Sequence, residues 1–242
     1  MQMQTPNVRD LLLLGGGHSH VQVLKHFAMH PVPGVRLTLI SDDYVSPYSG
    51  MVPGYIAGHY SLDEVQIALG PLCRRAGARF ICANVTGLVR DSRRVLMAGR
   101  PALRYDVLSI NSGAQPDLQG MPGIAVKPIG RFLSQWPELL ATMRSQLASD
   151  SSSSGRRMRG VMLVGAGAGG IELAFACRAS LPAQVPIKLV GPTLLPGSNR
   201  IAKKLVRRAM YEKNIVYITQ RVTKARTTAE GFSVTLANET IE

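Results

Sequence analysis

Residues 161–176, VMLVGAGAGGIELAFA, decide the fold of this chain. The apolar run at its start leads into Gly165-x-Gly167-x-x-Gly170 and then into a helical pattern. Gly165 permits a tight turn, Gly167 lets the backbone approach a pyrophosphate, and Gly170 lets the helix pack closely on the strand. The helix that follows offers free N–H groups to phosphates. Strand, loop and helix in this order predict a nucleotide-binding unit, against the alternative of a plain tight turn.

A second copy of this layout lies near the N-terminus, where residues 11–20 are LLLLGGGHSH. Gly15 and Gly17 supply the turn and the close approach, and a helix is expected to begin at His18. His20 stands where the third glycine is usual, so the helix is expected to stand off slightly or the ring to point sideways. The glycines that meet the phosphates are kept, and His18 and His20 are counted with them as expected cofactor-binding residues. A metal site at these two histidines is disfavoured, because no further ligands lie nearby.

Each loop leads through a helix into another apolar strand, VRLTLI at 35–40 and IKLV at 187–190. Continuous apolar runs are typical of parallel strands that are covered on both faces. The fold class predicted is therefore α/β, with two Rossmann-like domains. The polar stretch at 149–159 is expected to be a flexible linker between domain 1–148 and domain 160–242.

The residues that follow the second strand of each domain are candidates to bind the ribose of the nucleotide. In the first domain Asp42 or Asp43 is placed to accept the ribose hydroxyls, and Ser41 could serve instead. In the second domain no acid follows the strand, so the sequence leaves NADH and NADPH equally open. Glu172 is expected in the first turn of its helix, either solvated or facing the nicotinamide.

The segment between the two domains carries further expectations. Residues 44–58 form a glycine- and proline-rich loop in this prediction, and a helix spans residues 62–76. No cysteine lies between Asp42 and Tyr60, which excludes a thiol–disulfide relay there. None of the five histidines has an obvious partner, so we expect no dedicated acid–base residue and leave the catalytic residues unknown.

Composition and charge restrict the cellular compartment and the partners that can be expected. The chain has 242 residues, three widely spaced cysteines and a net charge of +13. The cysteines are typical of reduced thiols in a cytoplasmic protein. The cations cluster around 203–208 in a predicted helix, which is either a solvated face or a peripheral membrane contact. No aromatic or zinc pattern accompanies them, so nucleic acid is not an expected partner.

Five stretches, taken together and in this order, resemble the FAD-dependent pyridine nucleotide-disulfide oxidoreductases of the type II NADH dehydrogenase-like branch. The similarity is strongest to flavoprotein domains that also occur fused to selenophosphate synthetase. The stretches are LLLLGGGHSHVQVLKHF, SPYSGMVPGYIAGHYSLDEVQI, YDVLSINSGAQP, VKPIGRFLSQW and VGAGAGGIELAFACR.

The resemblance implies that the first domain binds FAD and the second binds NAD(P)H. It implies hydride transfer from NAD(P)H to the flavin and electron delivery to a quinone or another acceptor. Residues implied to line the flavin are Pro47, Tyr48, Ser49, Gly50, Ser112 and Gly113.

Two further expectations rest on the same resemblance. Members of the resembled family are longer than this sequence and carry a later Gly-Asp pair that holds the flavin ribityl. This sequence has no Gly-Asp pair. The second domain is therefore expected to be truncated, with weak cofactor retention. The alternative is a non-catalytic nucleotide-binding or regulatory module linked to selenophosphate synthesis.

Overall fold

The computed structural model describes residues 8–116, 118, 120–150, 160–228, 231–237 and 240–241. They form two compact units, Met1–Tyr48 with Gln66–Gln115 (unit 1) and Ser49–Val65 with Pro116–Glu242 (unit 2). The elements run in this order: β1 (Arg9–Leu14), α1 (His18–Met29), β2 (Val35–Ser41), β3 (Val45–Pro47), α2 (Val52–Ile56), β4 (Gln66–Ala68), α3 (Leu69–Arg75), β5 (Arg79–Cys82), β6 (Val85–Val89), β7 (Arg94–Met97), β8 (Arg100–Arg104), β9 (Val107–Ile110), α4 (Ile129–Asp150), β10 (Val161–Val164), α5 (Ala168–Ser180), β11 (Ile187–Val190), α6 (Arg200–Glu212), β12 (Ile215–Ile218), β13 (Val222–Thr228), β14 (Gly231–Leu236) and β15 (Thr240–Ile241).

Unit 1 is built on a parallel sheet with strand order β5-β2-β1-β9. β1 is a central strand, which explains its unbroken leucine run, because both faces of a central parallel strand are covered. Leu13 packs with α1 and α3 on one face of the sheet. Leu12 packs on the other face with Val95 and Met97 of the antiparallel sheet β6-β7-β8. A short antiparallel pair, β3-β4, completes the unit.

Unit 2 contains a parallel sheet of order β10-β11-β12 and an antiparallel sheet of order β13-β14-β15. One core joins α2, α4 and α5 to the parallel sheet, with Leu133 and Trp136 of α4 packing beside Ala174 and Leu189. The core therefore groups α4 with the second nucleotide-binding motif. The predicted division at residues 149–159 stays a prediction, since residues 151–159 lie outside the described part of the chain.

The α/β class with parallel sheets is confirmed, and two local predictions are wrong. The predicted helix at 62–76 is a 3₁₀ turn at Asp63–Val65, then β4, then α3. The predicted loop at 44–58 contains β3, a 3₁₀ turn at Ser49–Met51 and α2. The short strands β3 and β4 pair with each other through Ser46 and Ile67, so each of them depends on a partner that is distant in sequence.

Among the described residues, no helix has both the length and the apolar character needed to cross a bilayer.

Candidate functional site

The two glycine loops have nearly the same backbone. Gly15 and Gly165 both have positive φ, +95° and +113°, which favours glycine at the turn. The Gly15 N–H donates to Ile40 O at 2.7 Å, and the Gly165 N–H donates to Val190 O at 2.8 Å. In each unit this bond ties the loop to the end of the neighbouring strand. The predicted repeat is therefore present in three dimensions.

Both loops lead into helices whose first N–H groups are available to a ligand. Gly17 caps α1 and Gly167 caps α5, each with extended backbone and without a side-chain hydrogen bond to the cap. Neither helix has an acidic residue in its first turn. An anion at these positions meets free N–H donors and the positive end of the helix dipole. The geometry suits a phosphate group in both units.

The middle glycines differ in what surrounds them. A Cβ added to Gly17 would overlap the side-chain oxygen of Asn111, at the end of β9. A Cβ added to Gly167 would meet none of the described protein atoms within 4 Å. Gly17 is thus required by the protein's own packing, whereas the described residues leave room for a side chain at Gly167. The predicted reason for Gly17, the approach of a pyrophosphate, is incomplete.

The third position of the glycine motif is occupied by different residues in the two loops. A Cβ at Gly170 would overlap the carbonyl oxygen of Gly165, so α5 packs directly on its turn. In the first loop His20 occupies that position, and its Nδ1 lies 2.6 Å from Gly15 O. The ring is 1% exposed and its Nε2 lies 2.9 Å from the Ser109 hydroxyl. His20 therefore reaches protein atoms on both sides, and its predicted direct contact with a cofactor stays a prediction.

These contacts define the tautomer of His20. A carbonyl oxygen can only accept, so Nδ1 carries the proton and donates to Gly15 O. Nε2 then accepts from the Ser109 hydroxyl. Burial lowers the pKa of His20 below its usual value, and the bond to Gly15 opposes that shift only in part. The expectation that no histidine has a partner is wrong for His20.

Within the described part of the chain, two buried polar atoms beside the first loop have no hydrogen-bond partner. They are Nε2 of His18 and Oδ1 of Asn111. The ring of His18 contacts the ring of Tyr48 edge-on, with centroids 5.1 Å apart. Buried polar atoms normally find a partner, so both atoms indicate a ligand or water at this place. His18 and Tyr48 were predicted separately, and the structure brings them together.

The remaining predicted flavin-lining residues lie at several places. Ser112 lies over the first loop, because a Cβ on Gly15 would come within 2.7 Å of its Cα. Gly113 follows with φ +81°, and none of the described protein atoms lies near its Cβ position. In the other stretch Pro47 ends β3, and Ser49 and Gly50 form an exposed 3₁₀ turn that belongs to unit 2.

Three residues at the end of β2 are candidates to bind the ribose hydroxyls, and their surroundings differ. Ser41 is buried, and Asp43 uses its carboxylate to accept from the Tyr44 and Val45 N–H groups at 2.6 and 3.4 Å. Asp42 is exposed, and within the described residues its carboxylate has no hydrogen-bond partner. Asp42 is thus the acid best able to receive a ribose hydroxyl in unit 1.

The second loop borders a different strand end. The Tyr217 hydroxyl donates to Gly191 O at 2.8 Å, and Gly191 lies against Ala166. Glu172 is exposed and is the fifth residue of α5, so its predicted place in the first turn is wrong. The helix begins earlier than expected because Ala168 and Gly169 already belong to it.

Sequence reasoning missed Asn111 and Ser109. Ser109 belongs to β9, and Asn111 directly follows that strand, within the quoted stretch YDVLSINSGAQP. Polar residues at the carboxyl end of a parallel strand are a usable signal for such positions. Within the described part of the chain, no group of three or more His, Cys, Asp or Glu could hold a metal ion.

Comparisons with known proteins agree with this geometry. The family model of the pyridine nucleotide-disulphide oxidoreductases matches residues 9–242. A water-forming NADH oxidase from Lactobacillus brevis superposes with a TM-score of 0.73 at 15% identity, covering 97% of this chain and 52% of that one. A ferredoxin reductase from Rhodopseudomonas palustris gives 0.75 at 18%, covering 96% and 55%. NDH2 from Plasmodium falciparum gives 0.75 at 15%, covering 97% and 52%.

The chain thus spans about half the length of these solved structures. No protein with a curated description matches it significantly. The matched family binds flavin and nicotinamide nucleotides. Because the family model covers nearly the whole sequence, the chain belongs to the pyridine nucleotide-disulphide oxidoreductase family.

Proposed function

We propose that unit 1 binds the ADP part of FAD and unit 2 binds NAD(P)H, within an oxidoreductase that passes electrons to a quinone or another acceptor. The observation that carries the proposal is the pair of glycine loops with matching backbone, each ending in an uncapped helix N-terminus. A single loop of this kind is weak support for nucleotide binding. Two in one chain, in this family, are strong support.

In unit 1 the first loop receives the pyrophosphate at the N-terminus of α1. The exposed carboxylate of Asp42 accepts from the adenosine ribose hydroxyls. The unpartnered Nε2 of His18 and Oδ1 of Asn111 supply two further polar contacts to the nucleotide. Ser112 lies against the same loop at Gly15, and Gly113 follows it in the chain.

In unit 2 the open space at Gly165, Gly167 and Gly169 leaves room for the dinucleotide phosphates. No acid follows β11, where Gly191 and Pro192 stand, so the chain has no carboxylate at the usual place to disfavour a ribose 2′-phosphate. We therefore propose that both NADH and NADPH are accepted. Glu172, exposed on α5, is proposed to face the nicotinamide end of the cofactor.

When bound, the two cofactors supply hydride transfer from NAD(P)H to the flavin and onward electron transfer to the acceptor. The chain's own contribution is to bind and orient the two nucleotides. A link to selenophosphate synthesis rests on the sequence resemblance alone, and no structural observation favours it.

The proposal is tested by mixing the chain with FAD, removing free FAD and recording the visible spectrum. We expect retained absorbance at about 450 nm, which is a property of the flavin. NADH or NADPH is then added without oxygen, and loss of that absorbance reports reduction. Gly167→Val should weaken nicotinamide binding and leave FAD binding intact. Gly70→Ala, whose Cβ has ordinary contact at 3.9 Å, is the matched control.

Two outcomes would overturn parts of the proposal. A chain that binds neither FAD nor NAD(P)H in equilibrium titrations would not be a nucleotide-binding protein. A chain that binds both but shows no flavin reduction would favour the non-catalytic module.

A further inference from the structure

Helix α6 presents an outer face on which cations and apolar side chains alternate. Its inner side packs into the unit 2 core through Met210, which is buried, and Val206, which is half-buried. The opposite side is exposed. We call it the α6 outer face, and it consists of Arg200, Ile201, Lys204, Leu205, Arg207, Arg208 and Tyr211.

The apolar members of this face are unusually exposed. Ile201 is 72% exposed, Leu205 is 62% exposed and Tyr211 is 85% exposed. At 100° per residue Ile201 and Leu205 lie one turn apart on one side of the face, and Tyr211 lies among the cations on the other. Single exposed apolar residues need no explanation, but two adjacent exposed aliphatic side chains form a small apolar patch.

The charge of the face is almost entirely positive. Four of its seven residues are arginine or lysine, and the helix has no acid in its first turn. The acid beside it, Glu212, accepts from Arg208 at 2.8 Å, with both side chains well exposed. An exposed pair of this kind is weak and leaves the arginine able to reach a second anion. The chain as a whole carries a net charge of +13.

We propose that the α6 outer face binds an anionic lipid surface. Lysine and arginine are attracted to acidic headgroups, and isoleucine and leucine beside them gain by entering the boundary between headgroups and acyl chains. Tyrosine is favoured at the headgroup level, where its ring is apolar and its hydroxyl stays wet. The proposal is independent of the nucleotide sites, because none of these side chains belongs to either loop.

Charge complementarity alone would also fit a nucleic acid or an acidic protein. The aliphatic residues separate these alternatives, since Ile201 and Leu205 gain nothing beside a phosphate backbone. Nucleic-acid faces combine cations with stacking aromatics or polar side chains that reach bases. An acidic protein partner would need its own apolar patch to cover the aliphatic pair. A lipid surface provides acidic headgroups for the cations and acyl chains for the aliphatic side chains.

The test is co-sedimentation of the full chain with vesicles. One set contains phosphatidylglycerol in phosphatidylcholine, and the other contains phosphatidylcholine alone. We expect binding to the anionic vesicles that weakens with salt, and little binding to the neutral ones. Lys204→Gln with Arg207→Gln should weaken binding by roughly 25-fold, at about five-fold per cation. Ile201→Ser with Leu205→Ser should weaken it while keeping the charge.

Matched controls separate this face from general basicity. Arg74→Gln with Arg75→Gln removes two exposed cations from α3, and Leu88→Ser with Leu96→Ser removes two partly exposed leucines from the β6-β7-β8 sheet. Neither control should change vesicle binding, and circular dichroism checks that every variant is folded.

Equal losses in the α6 and α3 charge variants would overturn the proposal, because net charge would then explain binding. Unchanged binding in the Ile201/Leu205 variant would also overturn it. Binding of a DNA duplex or of an acidic protein without vesicle binding would replace the lipid surface with that partner.

Discussion

His20 donates its Nδ1–H to the carbonyl oxygen of Gly15 at 2.6 Å, and the Ser109 hydroxyl donates to the other ring nitrogen at 2.9 Å. The histidine thereby joins the turn after β1 to β9, two segments about ninety residues apart in sequence. Its equivalent in unit 2 is Gly170, which has no side chain to make such a link.

His20→Ala should destabilise the fold by about 1–3 kcal/mol, because Gly15 O and the Ser109 hydroxyl would lose their partner in a buried place. Urea denaturation measures the change. Ser109→Ala removes one of the two bonds and should cost less. In the double variant the losses should not add, because both substitutions break the same link. Additive losses would contradict the coupling.

Stability should fall on mild acidification because of His20. Burial lowers its pKa in the folded chain below the usual value near 6.5, so the unfolded chain binds a proton first as pH falls. The stabilisation is full above the unfolded pKa and decreases as pH falls toward the folded pKa. Melting temperatures between about pH 7.5 and about pH 5 measure it. His20→Asn, which does not titrate, should flatten this part of the curve, and an unchanged slope would refute the assignment.

The middle glycines of the two loops should respond differently to alanine. Gly17→Ala should lower the melting temperature, because the new Cβ would overlap the Asn111 side chain. Adding Asn111→Ala should recover part of that loss, since the backbone oxygen of Asn111 still lies near the Cβ. Gly167→Ala should leave the melting temperature unchanged and weaken NADH binding instead. Similar melting temperatures for Gly17→Ala and Gly167→Ala would refute the packing argument.

Substitutions at Asp42 and Asp43 should have different effects, the first on FAD binding and the second on the stability of the loop. Asp42→Ala should weaken FAD binding by roughly ten-fold to a hundred-fold, the range for one hydrogen bond to a charged group, without changing the melting temperature. Asp43→Ala should lower the melting temperature, because it removes the acceptor of two backbone N–H groups. Fluorescence titration of FAD and thermal melts distinguish the two. The reverse pattern would assign the ribose to Asp43.

The thiols should be unfit for disulfide reduction. Burial raises the pKa of Cys73 to about 11 and that of Cys177 to about 11, so at pH 8 on the order of one in a thousand is thiolate. Cys82, which is half-buried, should be the first to react with iodoacetamide, and Cys82→Ser should remove that fast phase. NADH-dependent reduction of a disulfide dye that disappears in Cys73→Ser would contradict this prediction.

Sequence patterns were sufficient where structure is local. The strand, loop and helix of each glycine motif lie within about twenty residues, and both were located correctly, as was the doubled α/β architecture. Gly165 and Gly167 could be interpreted without tertiary information because their geometry is set by the turn itself.

The patterns failed where a residue depends on a distant neighbour. Asn111 was missed because its contact with Gly17 exists only after β9 pairs with β1. The partners of His20 were missed for the same reason, since Ser109 reaches the ring through that pairing. The β4 strand was taken for helix because three residues, Gln66–Ala68, are too short to show a strand period.

The link from His20 to Ser109 also affects how this loop is found in other sequences. A search that insists on three glycines will pass over a first motif of this type, although its backbone matches the complete motif of unit 2. The structural equivalent of the missing glycine is a pair of positions, an imidazole at the loop and a hydroxyl in the fourth strand of the sheet. Among related sequences, the positions of His20 and Ser109 should therefore covary. Where a glycine replaces the histidine, the strand position should no longer need a hydroxyl.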